Sequence, residues 1–271
     1  MNKVILVLSD ALRYEVAAAN MGYLMHLVEY KKAGLYKIVG ELPSMSRPMY
    51  EAIHTGLPSS ETGIVANSVV RLSDKPNIFR SVREAGKVTA AAAFYWYSEL
   101  YNCVPYNPID DKETDDESLN IQHGRFYTED EYPDIELLNS AAHLVRKYSP
   151  DYLLFHPMGL DYYGETYGSD AKEYRNHATY QDSKLAPRIM EWLELGYTVF
   201  VTGDHGVNKD GNHGGAESGQ REVPFFAIQP SLKGRGETGE VISHLQIAPT
   251  VLSLLDIPIP STMRHRPLLF D

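Results

Sequence analysis

Residues 197–206 read YTVFVTGDHG, an apolar run followed at once by a carboxylate and an imidazole between two glycines. The run is rich in β-branched and aromatic residues, which favours a strand that is buried on both faces. Gly203 and Gly206 permit backbone turns that would point Asp204 and His205 in one direction. Adjacent oxygen and nitrogen ligands of this kind suit zinc or a similar transition metal.

The same combination of a strand and a following carboxylate occurs twice more. The apolar run 4–8 is followed by Ser9 and Asp10, and the run 151–156 (DYLLFH) is followed by Asp161. Because ligands in open parallel sheets bind outside the carboxyl ends of the strands, we expect these carboxylates and Asp204 to converge on one site. The alternative is that each is a helix N-cap, a position that Asp favours.

Strand-like and helix-like segments alternate along the rest of the chain. Weaker strand patterns cover 87–94 and 223–228, and helical patterns cover 78–85, 135–148, 170–195 and 244–255. Pro249 falls inside the last of these and predicts a kink or a break there. This alternation predicts an α/β fold with a mostly parallel central sheet and helices on both faces. No shift in composition divides residues 1–271, so we expect a single domain.

Charge and cysteine content restrict the possible partners and the cellular compartment. The chain has 271 residues and a formal net charge of -11, from 36 acidic and 25 basic residues. Such a surface repels duplex nucleic acid and anionic lipid, so we expect neither as a partner. Cys103 is the single cysteine, and the run 4–8 is too short for a signal-peptide core. We therefore expect a cytoplasmic protein. Nothing in the sequence indicates an oligomeric state.

Two further residues could complete a catalytic site. Ser46 follows an extended stretch at a point where a helix could begin, and a helix N-terminus favours both an alkoxide and an anionic group. By itself Ser46 would be a simple N-cap, since a serine hydroxyl is a poor nucleophile unless a metal or a base activates it. His213 lies in the polar loop 211–215 (GNHGG), where it could reach a metal or could simply be exposed.

Taken in order, these segments resemble the alkaline phosphatase superfamily, in particular its nucleotide pyrophosphatase/phosphodiesterase members. The resemblance covers most of the chain and rests on an ordered set of short motifs. These are Ser9–Arg13 (SDALR), Pro43–Pro48 (PSMSRP) with the later Thr55-Gly56 and Gly63-Ile64, Asp161–Gly164 (DYYG), Thr202–Gly206 (TGDHG), Asn212–Gly215 (NHGG) and Ile247–Thr250 (IAPT).

The resemblance implies hydrolysis of a phosphodiester or a nucleotide pyrophosphate at a site with two divalent metal ions, zinc or manganese. The implied ligands are Asp10, Ser46, Asp204 and His205 for one ion, and Asp161, Glu165 and His213 for the other. Ser46 would be the nucleophile and would form a covalent phosphoseryl intermediate. The implied substrate is a small-molecule phosphate ester or a nucleotide.

The sequence departs from the family pattern at two places. Glu165 stands where the motif has a histidine, which adds a negative charge and a harder ligand, and shifts the preference from zinc toward manganese. Alternatively Glu165 does not bind metal, and His156 or His177 takes its place. Met49 stands at a substrate-binding position of the family, three residues after Ser46, where phosphodiesterase-type members have an asparagine. Tyr50 stands where sulfatases have an arginine, which disfavours a sulfatase.

Substrate contacts are less strongly indicated. Arg47 could contact a phosphate or be solvated. Tyr95 and Tyr97 would line a leaving-group pocket if they follow a strand, although a core cluster is the simpler interpretation. A phosphomonoesterase, a phosphonate hydrolase and an inactive ligand-binding homologue stay open as alternatives to a phosphodiesterase. A phosphomutase is disfavoured, because no segment large enough for a second domain is evident.

Overall fold

The computed structural model describes residues 2–270. Nine strands form one sheet, in the spatial order β4-β5-β3-β6-β1-β7-β8-β2-β9. The strands are β1 (Lys3–Leu8), β2 (Ala33–Val39), β3 (Thr89–Phe94), β4 (Glu113–Asp115), β5 (His123–Tyr127), β6 (Tyr152–Phe155), β7 (Tyr197–Thr202), β8 (Glu222–Ile228) and β9 (Gly236–Ile242).

The centre of this sheet is parallel. Strands β5, β3, β6, β1 and β7 are neighbours and run in one direction. Antiparallel pairs flank this centre, since β4 pairs with β5 on one side and β8 pairs with both β7 and β2 on the other. The predicted α/β class is confirmed, with a sheet that is parallel at its centre and mixed overall.

Eleven helices are present in residues 2–270, together with a 3-10 turn at His244–Gln246. The helices are α1 (Tyr14–Asn20), α2 (Gly22–Glu29), α3 (Ser46–Thr55), α4 (Ser59–Thr62), α5 (Ile78–Glu84), α6 (Trp96–Tyr101), α7 (Asp134–Tyr148), α8 (Gly159–Tyr167), α9 (Lys172–Glu194), α10 (Ser218–Arg221) and α11 (Ile247–Leu254).

The longer helices cover both faces of the sheet. Side chains of a strand alternate between its faces, and β1 sends Ile5 and Val7 into one core and Val4, Leu6 and Leu8 into the other. Helices α1, α2, α7, α8 and α9 pack on the first face, and α3, α5, α6 and α11 pack on the second. The predicted placement of helices on both faces is therefore confirmed.

One predicted helix differs in detail. The segment 244–255 is a 3-10 turn followed by α11, and Pro249 lies in the first turn of α11 instead of at a kink. The first backbone N–H groups of a helix have no partner within the helix, so proline is tolerated at that point.

The length and hydrophobicity of the helices show whether any of them could span a membrane. Within residues 2–270, no helix combines the length and the apolar character needed to cross a bilayer.

Candidate metal centre and nucleophile

Three buried carboxylates lie at the carboxyl edge of the central strands. Asp10 is in the turn after β1, Asp161 is in the first turn of α8 after β6, and Asp204 directly follows the end of β7. The N-caps of α1 and α8 are Arg13 and Met158, and no helix begins directly after Asp204. The N-cap alternative is therefore wrong for all three residues.

These carboxylates form two groups with histidines, and His205 belongs to both groups. In each group the potential ligand atoms lie within 4.8 Å of one another. The groups are Asp10, Asp204 and His205, and Asp161, His205 and His213. Nε2 of His205 lies 3.3 Å from Oδ1 of Asp10 and 3.4 Å from Oδ2 of Asp204. The rings of His205 and His213 stack, with their centroids 4.1 Å apart.

Each carboxylate has one oxygen that is left without a hydrogen-bond partner in the described part of the chain. Oδ1 of Asp204 accepts from the backbone N–H of Ala11 at 3.1 Å, but its Oδ2 is buried and unpartnered. Oδ1 of Asp10, Oδ1 of Asp161 and Nδ1 of His213 are also buried and unpartnered. Buried polar atoms are normally paired, so this set of oxygen and nitrogen donors fits divalent cations.

Burial and like charge disfavour ionisation of the carboxylates in this cluster. Burial raises the pKa of Asp10 well above its usual value, and the charges of Asp204 and Asp161 add to this effect. Burial and the neighbouring Glu165 raise the pKa of Asp161 in the same way, and burial raises the pKa of Asp204 to about 6. Burial lowers the pKa of His205, which keeps its imidazole neutral. A bound cation would relieve the repulsion among these carboxylates.

Ser46 is the first residue of α3, and its hydroxyl faces this cluster. Its Oγ lies 3.1 Å from Nε2 of His205, and the side chain is buried. The N-cap of α3 is Met45, which makes no capping hydrogen bond through its side chain. Ser46 is therefore not an N-cap, and its hydroxyl is turned toward the candidate metal ligands.

Glu165 contacts only one member of the second group. Its Oε1 lies 2.9 Å from Nε2 of His213, and about half of its side chain is exposed. Burial opposes protonation of His213, but the hydrogen bond with Glu165 and the charge of Asp161 outweigh it and raise the pKa of His213. Neither alternative residue takes this place: His156 contacts Asp10, and His177 lies 2.8 Å from Asp134.

Three of the four predicted substrate contacts, Arg47, Met49 and Tyr97, are buried. The guanidinium of Arg47 is buried, pairs with Glu99 at 2.7 Å and lies over the ring of Trp96, so a solvated Arg47 is excluded. Met49 and Tyr97 have no exposed surface, and we correct their assignment from substrate contact to core packing. Tyr95 is half-buried between aromatic neighbours that include Phe94. These positions follow from helical spacing, which turns Met49 inward, and from the aromatic cluster around Tyr97.

Three residues near the site lacked a clear sequence signal. The side chain of Asn67 accepts a hydrogen bond from the N–H of Arg47 at 3.0 Å, beside Ser46. Tyr50 and His156 both donate to Oδ2 of Asp10. Asn67 lies in a long loop with no local pattern. The i, i+4 spacing of Ser46 and Tyr50 on one helix could have indicated Tyr50.

A cleft of about 580 Å³ lies along α8, the helix that carries Asp161 and Glu165. Its lining combines four carboxylates with four tyrosines and, within the described residues, holds no lysine or arginine. The carboxylates are Asp130, Glu131, Asp134 and Glu173, and the tyrosines are Tyr132, Tyr162, Tyr163 and Tyr180. This lining would attract a cation.

A parallel α/β sheet that carries buried Asp and His clusters at its carboxyl edge, with a serine at a helix start beside them, is the architecture of the alkaline phosphatase superfamily. Within it, the sequence model of type I phosphodiesterase / nucleotide pyrophosphatase matches residues 4–210, and the chain belongs to this family.

Solved structures with the same fold share little sequence with the chain. Murine ectonucleotide pyrophosphatase / phosphodiesterase 5 superposes with a TM-score of 0.74 at 13% identity, over 95% of this chain and 96% of that one. A phosphonate monoester hydrolase from Silicibacter pomeroyi gives a TM-score of 0.67 at 14% identity, over 99% of this chain and 76% of that one.

Curated relatives carry transferase names. GPI ethanolamine phosphate transferase 2 of Candida albicans is 23% identical over 96% of this chain, and its human counterpart, a catalytic subunit, is 24% identical over 96%. The chain spans 30% and 27% of their respective lengths, so less than a third of each relative is matched.

Proposed function

We propose that this protein is a metal-dependent hydrolase of phosphate esters, of the phosphodiester or nucleotide pyrophosphate type, with Ser46 as its nucleophile. One observation supports the proposal most strongly. The Ser46 hydroxyl lies 3.1 Å from Nε2 of His205, and the same nitrogen lies 3.3 and 3.4 Å from the carboxylates of Asp10 and Asp204. A nucleophile that is buried against such a donor set is suited to activation by a cation.

Two divalent ions, zinc or manganese, fit the donors. Asp10, Ser46, Asp204 and His205 would hold one ion, and Asp161, Glu165 and His213 would hold the other. When bound, such ions lower the pKa of a hydroxyl and neutralise the charge of phosphoryl oxygens.

The protein residues supply positioning. Oγ of Ser46 attacks phosphorus, the bond from phosphorus to the leaving oxygen breaks, and the leaving alcohol departs with a proton. Water then attacks the phosphoseryl group, which releases phosphate ester and restores the serine. The N-terminus of α3 favours negative charge at Ser46 throughout this sequence. Asn67 fixes the adjacent Arg47 peptide by accepting its N–H.

The test is hydrolysis of a chromogenic panel by metal-stripped protein reloaded with zinc, manganese or magnesium. The panel contains an aryl phosphodiester, a phosphomonoester, a phosphonate and a sulfate. We expect metal-dependent turnover of the diester that Ser46→Ala reduces by about 10³-fold or more. Ser59→Ala is the matched control, since this buried hydroxyl has no hydrogen-bond partner in the described structure.

Other results would redirect the proposal. A preference for the monoester or the phosphonate would identify a phosphomonoesterase or a phosphonate hydrolase with the same nucleophile. Turnover that survives Ser46→Ala would overturn the role of Ser46. An absence of turnover with every metal would favour a ligand-binding homologue.

A second candidate is the transfer or cleavage of amino-alcohol phosphate esters. Hydrolysis and transfer differ only in whether water or an alcohol attacks the phosphoseryl group. The relatives named as ethanolamine phosphate transferases motivate this candidate. The cleft of carboxylates and tyrosines beside α8 supports it, because such a lining suits an ammonium group.

The two candidates are separated by p-nitrophenyl phosphorylcholine and the uncharged-tail analogue bis(p-nitrophenyl) phosphate. For an ammonium-binding cleft, Glu131→Gln and Glu173→Gln should each raise KM for the choline ester by about fivefold, which corresponds to about 1 kcal/mol. KM for the analogue should stay constant. Glu29→Gln, on α2 and outside the lining of this cleft, is the control. Equal effects on both esters would exclude the cation-binding role.

A further inference from the structure

The two carboxylate oxygens of Asp10 have different surroundings. Oδ2 accepts two hydrogen bonds, one from the hydroxyl of Tyr50 and one from Nε2 of His156 at 3.0 Å. Oδ1 is buried and has no hydrogen-bond partner within residues 2–270. It lies 3.3 Å from Nε2 of His205, on the side of the nucleophile.

The direction of the His156 hydrogen bond is fixed by the backbone. The N–H of Phe94 lies 3.4 Å from Nδ1 of His156 and can only donate. Nδ1 is therefore the unprotonated nitrogen, and the neutral ring carries its proton on Nε2, where it is donated to Asp10. The carbonyl of His156 in turn accepts from the hydroxyl of Tyr127 at 2.8 Å, which holds this residue in place.

Packing fixes the rings of both donors. The ring of Tyr50 stacks on that of Tyr97, with centroids 4.6 Å apart, and the ring of His156 contacts both tyrosines edge-on at 4.7 and 5.1 Å. The side chains of Tyr50, Tyr97 and His156 are fully buried. Neither donor has space to turn away from Asp10.

Helix α3 connects these contacts to the nucleophile. Ser46 and Tyr50 are four residues apart on α3 and so lie on the same side of the helix. Ser46 faces His205 and Tyr50 holds Asp10, so one rigid element positions both the attacking oxygen and a metal-binding carboxylate.

We propose that Tyr50 and His156 are positioning residues that engage Oδ2 of Asp10 and thereby present Oδ1 to the metal ion next to Ser46. The inference rests on the proposed metal-dependent function and extends it to two residues that contact neither the substrate nor the ion. Both residues donate to Oδ2, so they fix the orientation of the carboxylate and leave Oδ1 free for the ion. Partners of this kind commonly change metal affinity by about 10- to 100-fold.

The test measures metal affinity directly, by calorimetric titration of manganese and of zinc into metal-stripped protein. Tyr50→Phe keeps the stacked ring and removes only the donor, and it should weaken the binding of one of the two ions, the one held by Asp10, by about tenfold. Tyr97→Phe is the matched control, because the Tyr97 hydroxyl is buried without a partner in the described structure. This variant should keep wild-type affinity.

A second pair of variants distinguishes a loss of the hydrogen-bond donor from a loss of the fold. His156→Gln retains an N–H donor and should lose less affinity than His156→Leu, with the fold of each checked by its melting temperature without metal. Unchanged affinity in Tyr50→Phe and His156→Leu would overturn the positioning role. If the wild-type protein binds metal but hydrolyses no ester, the proposed function is contradicted. The comparison of metal affinities still decides the role of Tyr50 in that case. Wild-type protein that binds no metal would overturn both.

Discussion

Glu165 and His213 are joined by a hydrogen bond of 2.9 Å between Oε1 and Nε2, which connects helix α8 to the loop after β7. The contact places a carboxylate beside a histidine of the second candidate metal group. Because Glu165 is about half exposed, it lies at the open side of this group. Its identity should therefore influence which ion is bound.

Substitution of Glu165 should change the metal preference. Glu165→His replaces an oxygen donor with a nitrogen donor and removes a negative charge, so the ratio of zinc to manganese affinity should rise by about tenfold. The measurement is competitive metal loading followed by elemental analysis. Glu29→His, on α2, is the control for an added histidine. An unchanged metal ratio would show that Glu165 is not a ligand.

Metal should stabilise the fold. Burial and mutual repulsion raise the pKa values of Asp10 and Asp161, so an ion that neutralises them should raise the melting temperature. An ion at 100 times its dissociation constant contributes about 2.7 kcal/mol, which corresponds to about 5–10 °C here. Differential scanning fluorimetry with and without chelator measures the shift. Asp204→Asn should lose much of it, whereas exposed Asp74→Asn should keep it.

The buried pair of Arg47 and Glu99 should be sensitive to the loss of either partner. Glu99→Leu leaves the Arg47 guanidinium buried without its carboxylate, and it should lower the free energy of unfolding by about 3–5 kcal/mol. Urea denaturation measures this change. Glu84→Leu removes the exposed pair of Arg80 and Glu84 and should cost less than about 1 kcal/mol. Similar losses in both variants would contradict a special role for burial.

His54 should make the protein sensitive to mild acid. Burial lowers the pKa of His54 from 6.5 to about 4. The unfolded chain therefore binds more protons between these two values, and stability is lost as the pH falls from 6.5 toward 4. The loss should approach about 1.4 kcal/mol per pH unit for each such histidine. Burial also lowers the pKa of His244 to about 4, so His244 should contribute to the same loss of stability.

Urea denaturation at a series of pH values checks this prediction. His54→Gln should reduce the slope of stability against pH in this window, and His265→Gln, at an exposed position, controls for the substitution itself. A slope that is the same in the wild type and in His54→Gln would show that His54 does not titrate as expected.

The sequence predicted the central strands because they are buried on both faces and read as continuous apolar runs. Strands β1, β6 and β7 are of this kind. Strands β4 and β9 were missed, since β4 has three residues and β9 (GETGEVI) is largely exposed at the sheet edge. Strand β2 was missed as well, because Gly34 and Lys37 interrupt its apolar pattern.

The site was predictable where a residue follows a strand end or opens a helix, as Asp10, Asp204 and Ser46 do. Contacts that depend on packing between distant segments were not predictable. The contact between Asp10 and His156 depends on the register of β1 against β6. The burial of Arg47 beside Glu99 depends on how α3 and α6 pack on the sheet. The metal ligands, the cytoplasmic location and the single domain stay predictions.

The pairing of β1 has a consequence for synthesis of the chain. β1 pairs with β6 on one side and β7 on the other, and Lys3 is in register with Tyr197. During translation, β1 is synthesised long before β6 and β7. Its apolar side chains therefore stay unpaired and exposed until most of the chain has been translated. We therefore expect nascent chains that lack β7 to need a chaperone and to bind no metal.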